Sequence, residues 1–331
     1  MRAFVTGGTG FIGYHVAAAL LADGCEVRAL ARAGSDTARL RALGADICTG
    51  DLATGEGVES GVRGCGAVFH AAAHYSLDRR EKDVMRAVNV GGTRAVLAAA
   101  RAAGVRRVVY TSSTATVGLC ADGQPADESA FADPAAAQSE YKRTKILAER
   151  LALAACREGL DVVIVNPSTP VGRGDVKPTP TGRIVLDALR GRMPAYVDTG
   201  LNVAAVRDVA AGHLLAHAAG RTGERYILGG ENMTLADLLG RIARIAGRRP
   251  PKFRLPFWFA QGVAAVDEYI AAPLTRTRPR VPLEGVRLAR RPMYFTSGKA
   301  VRELGLPQTS VDAALAEAVD WFRGAGFARA T

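Results

Sequence analysis

Short apolar runs alternate with amphipathic helical patterns through the first half of the chain. Runs at 3–6, 26–31, 45–48, 66–70, 106–111 and 161–166 read as buried strands, and helical patterns lie near 35–43, 54–63, 80–103 and 134–158. Apolar strands separated by helices predict a parallel sheet covered on both faces, an α/β doubly wound architecture. Beyond Asn166 the pattern changes. Pro167, Pro170, Gly172, Gly174, Pro178 and Pro180 crowd together and read as a long active-site loop. Further segments follow at 181–191, 206–219, 224–228 and 234–247, and an amphipathic helix at 311–323. The expected division is 1–166 for the sheet-forming part and 167–331 for a smaller substrate-binding region, with some later chain returning to the sheet. No internal repeat is visible.

The first strand runs into Gly7-Gly8-Thr9-Gly10-Phe11-Ile12-Gly13 and then an apolar helical pattern. Gly7, Gly10 and Gly13, spaced by three, allow a sharp turn and close backbone approach to a ligand. A helix start offers free N–H groups and a positive dipole end, which suit a pyrophosphate. Strand, glycine turn, helix and second strand together are the context in which this pattern signals a dinucleotide. The second strand ends at Ala31-Arg32, where a carboxylate would hold the ribose hydroxyl of NAD and an arginine accommodates the 2′-phosphate of NADP. The cofactor expected is therefore NADP(H); an ordinary surface arginine is the alternative. Asp51-Leu52 after the third strand could cap the adenine amino group. Ala71, Ala72 and Ala73 after the fourth let backbone lie against ribose and pyrophosphate, and His70 reads as a structural strand-end residue.

The chemistry lies farther along. Thr111-Ser112-Ser113 puts hydroxyls at the carboxyl end of the fifth strand, where open α/β sheets bind ligands. Tyr141 and Lys145 are four apart and share a helix face. A free phenol titrates near about 10 and must shift toward about 7 to exchange protons near neutrality. A nearby ammonium and a nicotinium charge would favour that shift. Lysine is scarce, six against 37 arginines, so such a pair seldom arises by chance.

Composition narrows the class. The 331 residues are 48% hydrophobic, enough for a large core, and no apolar run reaches the roughly 18 residues of a membrane helix. Cys25, Cys48, Cys65, Cys120 and Cys156 show no zinc or CxxC spacing. Scattered thiols fit a reducing compartment, so a cytoplasmic protein without metal or signal peptide is expected. The net charge of +11 comes from scattered basic pairs, without a recognised nucleic-acid module. Phe253 to Phe259, with its basic flank, could rest weakly on a membrane surface or pack over the substrate cleft.

The glycine motif, Asn89 in Asn-Val-Gly-Gly-Thr, Ser113 and Tyr141…Lys145 together resemble the extended short-chain dehydrogenase/reductase superfamily, specifically the NAD-dependent epimerase/dehydratase family, over essentially the whole chain. The resemblance implies a Rossmann fold with sheet order 3-2-1-4-5-6-7 and a homodimer through helices 80–103 and 139–158. It implies Tyr141 as proton donor or acceptor, Ser113 (chosen over Ser112 from strand register) as carbonyl partner, Lys145 as phenol tuner and ribose ligand, and Asn89 as support for the proton relay. Phe11, Ile12, Thr111, Pro167 and Ser168 complete the cofactor-binding set, with Tyr141 and Lys145 also in it. Two branches compete. Tyr-Thr-Ser-Ser and Val-Arg-Ala-Leu-Ala-Arg are similar to dihydroflavonol 4-reductase-like ketone reductases. Residues 166–170, 177–183 and 191–200 are similar to hopanoid-associated sugar epimerases, although Arg207 stands where many of those relatives carry aspartate. Arg207 is expected to face solvent, a positive charge near the substrate being the alternative. Net reduction of a sugar- or hopanoid-related ketone is the preferred expectation, since NADP is a usual reducing currency. An epimerase that retains its cofactor is the alternative. A non-catalytic NADP sensor on this fold would be expected to have lost Tyr141 or Lys145. Lys177, Arg183, Arg280 and Arg287 are candidates to meet a sugar phosphate.

Overall fold

The computed structural model describes residues 1–120, 122–275 and 283–327. Twelve strands are described: β1 (Arg2–Thr6), β2 (Glu26–Ala31), β3 (Asp46–Thr49), β4 (Ala67–His70), β5 (Arg107–Thr111), β6 (Val162–Pro167), β7 (Thr169–Val171), β8 (Ala195–Val197), β9 (Gly200–Ala205), β10 (Arg225–Leu228), β11 (Glu231–Thr234) and β12 (Phe253–Leu255). The helices are α1 (Phe11–Ala22), α2 (Ala38–Ala42), α3 (Val58–Val62), α4 (Lys82–Met85), α5 (Gly92–Ala102), α6 (Glu140–Arg157) and α7 (Pro180–Leu189), then α8 (Val206–Ala219), α9 (Leu235–Ala246), α10 (Phe257–Val266), α11 (Ala272–Thr275), α12 (Leu283–Leu288), α13 (Gly298–Leu304) and α14 (Val311–Gly324).

The main sheet has seven parallel strands in the order β10-β6-β5-β4-β1-β2-β3. Counted within the sheet, this is the doubly wound order 3-2-1-4-5-6-7. Strand alternation divides the core between two faces. Ala3, Val5, Phe69, Val109 and Val163 pack with Val16 and Leu20 of α1 and Val209 of α8. Phe4, Val68, Val108, Tyr110 and Ile164 pack with Val58 of α3, Val96 of α5 and Ala152 of α6. Both faces are dry, which is why these strands read as unbroken apolar runs.

Beyond β6 the chain builds a second layer. β11, β9 and β7 form a small sheet whose core joins Leu186 of α7, Leu238 of α9 and Phe322 of α14. β10 then returns to the edge of the main sheet beside β6. β12 pairs with β8, and α10 packs Ala260 and Ala264 against Leu283 and Val286 of α12.

Two helical expectations need correction. The pattern over 80–103 is not one helix: a 3₁₀ turn (Arg79–Glu81), α4, a π-helix (Arg86–Gly91) and α5 follow one another. The pattern over 134–158 becomes helical only at Glu140, because the Ser139 side chain accepts the Lys142 N–H at 3.0 Å and caps the helix there.

Candidate active site

Gly7 leaves β1 with φ 76°. A Cβ there would lie 2.7 Å from the Ala72 backbone, and one on Gly13 would lie 2.1 Å from the Gly7 carbonyl oxygen. Any larger residue would push α1 off the turn. Gly10 caps α1 with no side-chain hydrogen bond. The leading N–H groups at Phe11, Ile12 and Gly13 are thus left for a ligand, at the positive end of the helix. Across the turn, Ala71 N donates to Thr6 O at 3.2 Å and Ala72 N to Thr6 Oγ1 at 3.3 Å. Ala73 follows, exposed.

Arg32 is exposed after β2 and forms no ion pair with a described residue. Asp51 accepts the Ala53 N–H at 2.9 Å, and Leu52 is buried against Gly92 at the start of α5. At the end of β6, beside Pro167, the Ser168 hydroxyl is buried without a hydrogen-bond partner among the described residues. A cradle that a Cβ would fill, an uncapped helix start and an orphaned hydroxyl fit a dinucleotide. Gly7, Gly10, Gly13, Arg32, Ala71, Ala72 and Ser168 could hold one.

The candidate chemical groups come from β5, the π-helix and α6. The Tyr141 side chain, in the first turn of α6, comes close enough to the Ser113 side chain, which follows β5, for Ser113 to act on its ionisation. Ser112 instead points toward Thr116, with 3.4 Å between their hydroxyl oxygens. Burial pushes the Tyr141 phenol up to about 12, and the Ser113 side chain beside it only partly opposes this. The direction is opposite to the expected lowering. The Lys145 ammonium is not on the phenol: it donates to Thr111 O at 2.8 Å and to Tyr110 Oη at 3.3 Å. Burial brings Lys145 down to about 8, with the Glu149 carboxylate opposing that shift.

Asn89 is buried in the π-helix. Its Oδ1 accepts the His74 N–H at 2.7 Å, and its Nδ2 donates to His74 O and Thr144 Oγ1, both at 3.0 Å. Thr144 Oγ1 in turn donates to Tyr141 O at 2.9 Å. Asn89 thereby ties the turn that carries Tyr141 to the loop after β4.

His70 lies between Thr6 Oγ1 (2.7 Å) and Thr93 Oγ1 (3.0 Å), and burial lowers it to about 3, so it stays neutral. Sequence reasoning missed His213 of α8, whose Nε2 shares a hydrogen bond of 2.8 Å with Thr111 Oγ1 and whose Nδ1 shares one of 2.7 Å with Val209 O. It also missed the Glu149–Arg225 pair behind Ser113. Arg207 is exposed and pairs with Glu317 at 2.9 Å. Arg183 donates to Pro178 O at 3.3 Å, Lys177 is exposed, and Arg287 borders a small cavity with Gln138 and Glu284. Arg280 lies outside the described residues.

The family model described as the NAD dependent epimerase/dehydratase family matches residues 3–229. A protein of Synechocystis sp. described as "Putative dihydroflavonol 4-reductase" is 49% identical over 98% of this chain and 96% of its own length. Sterol demethylase protein B of Methylococcus capsulatus is 37% identical over 98% of this chain and 99% of its own. Among solved structures, a nucleoside-diphosphate-sugar epimerase from Pseudomonas aeruginosa superposes with a TM-score of 0.82 at 30% identity, covering 99% of both chains. The chain belongs to the NAD-dependent epimerase/dehydratase family, a group of extended short-chain dehydrogenase/reductase enzymes that act with a nicotinamide cofactor.

Proposed function

We propose that the enzyme reduces a ketone on a bulky apolar substrate, of sterol- or hopanoid-like class, with NADPH. The observation that carries this reading is the convergence of Tyr141, at the start of α6, on Ser113, at the end of β5, in surroundings that favour the protonated phenol. A protonated phenol is ready to give a proton, which reduction needs. Oxidation, the opening step of an epimerase, needs it ionised first. The bound nicotinamide supplies the hydride. Ser113 Oγ donates to the substrate carbonyl oxygen, and Tyr141 Oη passes its proton to that oxygen as negative charge develops there. Lys145, charged at neutral pH and held by Thr111 and Tyr110, steadies the negative charge left on Tyr141 and can reach a ribose hydroxyl. Asn89 keeps Tyr141 in register through Thr144.

The high identity to the Synechocystis relative supports reduction, and the likeness to sterol demethylase protein B supports the substrate class. Arg32, exposed and without an ion pair among the described residues, supports NADP over NAD. The test is stoichiometric: with polycyclic ketones, each product formed should consume one NADPH. Inversion of a sugar nucleotide with no net loss of NADPH would overturn the proposal in favour of a cofactor-retaining epimerase, the reading favoured by the Pseudomonas neighbour. A homodimer through residues 80–103 and 139–158 in the cytoplasm belongs to the same proposal, and sedimentation equilibrium tests the dimer.

A further inference from the structure

α10 is built inside out. Its small residues Ala260 and Ala264 face inward, onto Leu283 and Val286 of α12. Apart from Phe257, which packs on the same cluster, its large apolar residues face outward. Phe259, Val263, Val266, Ile270 and Leu274 recur at spacings of four, three, four and four through α10, the π-helix Asp267–Ala271 and α11, and all are exposed. Trp258 beside them is 73% exposed and Leu274 84%. α10 itself carries no charged residue. An ordinary surface helix buries its large apolar side chains and shows alanine or polar residues to water. The reverse arrangement leaves a continuous apolar strip uncovered.

Cations flank the strip in the sequence. Arg248, Arg249 and Lys252 precede it and are exposed. In the sequence, Arg276, Arg278 and Arg280 follow it, outside the described residues. Glu268 within the strip is turned inward, accepting the Leu283 N–H at 2.9 Å. No helix among the described residues is long and apolar enough to cross a membrane. An apolar face with a tryptophan, preceded and followed in the sequence by basic residues, matches the chemistry of an anionic bilayer surface. A second copy of the chain fits less well, since pairing this face with itself would leave the basic residues beside it in the sequence without an anionic partner.

The strip also adjoins the candidate site. α12, on which α10 rests, places Gly285 where a Cβ would lie 3.4 Å from Leu77. Leu77 is two residues from Tyr75, whose ring stands 4.7 Å from that of Tyr141 in an edge-on contact. One helix layer therefore separates the exposed strip from the chemical groups.

The geometry points to α10 and α11 as a docking face for the surface of an anionic phospholipid membrane, lying in the interface and holding the mouth of the active site against the bilayer. This inference concerns where the enzyme works and does not rest on the reaction proposed above. Its test needs no substrate, so a negative result would leave the reductase reading standing.

The experiment is co-sedimentation of the full chain with vesicles of phosphatidylcholine alone and of phosphatidylcholine with phosphatidylglycerol. The wild type is expected to bind the anionic vesicles, less at high salt and less to neutral vesicles, with a blue shift of tryptophan emission. Phe259→Ser/Ile270→Ser should lower the partition coefficient at least about tenfold, since each side chain loses a large apolar burial. The melting temperature should move by no more than a few degrees, because neither side chain is part of the buried core. Absence of wild-type binding, or equal binding by the double variant, would overturn the proposal. So would a wild-type oligomer that the double variant breaks into monomers while vesicle binding stays unchanged.

Discussion

The Glu149–Arg225 pair offers a quantitative test of how the hydroxyl array after β5 is held. Both side chains are almost fully buried, 4% and 3% exposed, with Arg225 Nε 3.2 Å from Glu149 Oε1. The approach is ionic, and Nε is not aligned for a hydrogen bond. Glu149 Oε2 accepts from Thr116 Oγ1 at 2.7 Å and from Asn166 Nδ2 at 2.8 Å. Arg225 donates to Glu128 O at 2.9 Å and to Thr116 O at 3.2 Å. Removing one charge leaves the other buried without compensation, which costs about 3–5 kcal/mol. For 331 residues the unfolding entropy at the midpoint is about 0.7 kcal/mol/K, so Arg225→Met should lower Tm by about 4–7 °C. Glu149→Gln should lower it comparably. The double variant should be less destabilised than the sum of the singles, with a coupling of about 1–3 kcal/mol, because no naked charge remains. The assay is thermal and urea unfolding of all four proteins at one pH. Additive losses, or a single-variant loss below about 1 kcal/mol, would refute the reasoning that these charges compensate one another.

Arg32→Ala should weaken NADPH binding by about ten- to a hundredfold, the equivalent of a charge-assisted hydrogen bond, and leave NADH binding nearly unchanged; equal effects on both would remove the arginine from cofactor choice. Titration calorimetry reads both constants. Gly13→Ala should abolish dinucleotide binding and destabilise the fold by at least the roughly 1–3 kcal/mol of an overpacked site, because its Cβ would meet the Gly7 carbonyl at 2.1 Å. Burial lowers His70 to about 3 and His213 to about 4, below the unfolded value near about 6.5. The unfolded chain therefore binds more protons between those values, and stability falls as pH drops from about 6.5 toward 4, by up to about 1.4 kcal/mol per pH unit per histidine. His213→Gln should flatten that slope in urea melts; an unchanged slope would contradict the assignment.

Much of this architecture is legible in the chain. Five of the six leading strands read directly because they are largely buried on both faces, β3 at the sheet edge being only half-buried, and Gly7 and Gly13 stand where backbone meets backbone. What escaped is interaction between distant segments. The pattern over 80–103 has helical periodicity throughout, so the π-helix that aims Asn89 at Thr144 leaves no mark on it. Tyr141 and Lys145 do share a helix face. Yet the ammonium is taken by Thr111 and Tyr110 of β5, and spacing along one helix is silent about what lies opposite. His213 and Arg225 come from elements far along the chain and read there as ordinary helix and strand residues. The composition of 253–275 shows an apolar segment, but only packing reveals that alanines point in and aromatic and branched residues point out.

The central claim is that Tyr141 transfers the proton. It is most directly tested by Tyr141→Phe, assayed on the first ketone that draws NADPH oxidation from the wild type, alongside the dissociation constant for NADPH. The account predicts that kcat falls at least about a hundredfold while NADPH binding changes little. Turnover at the wild-type rate would contradict it.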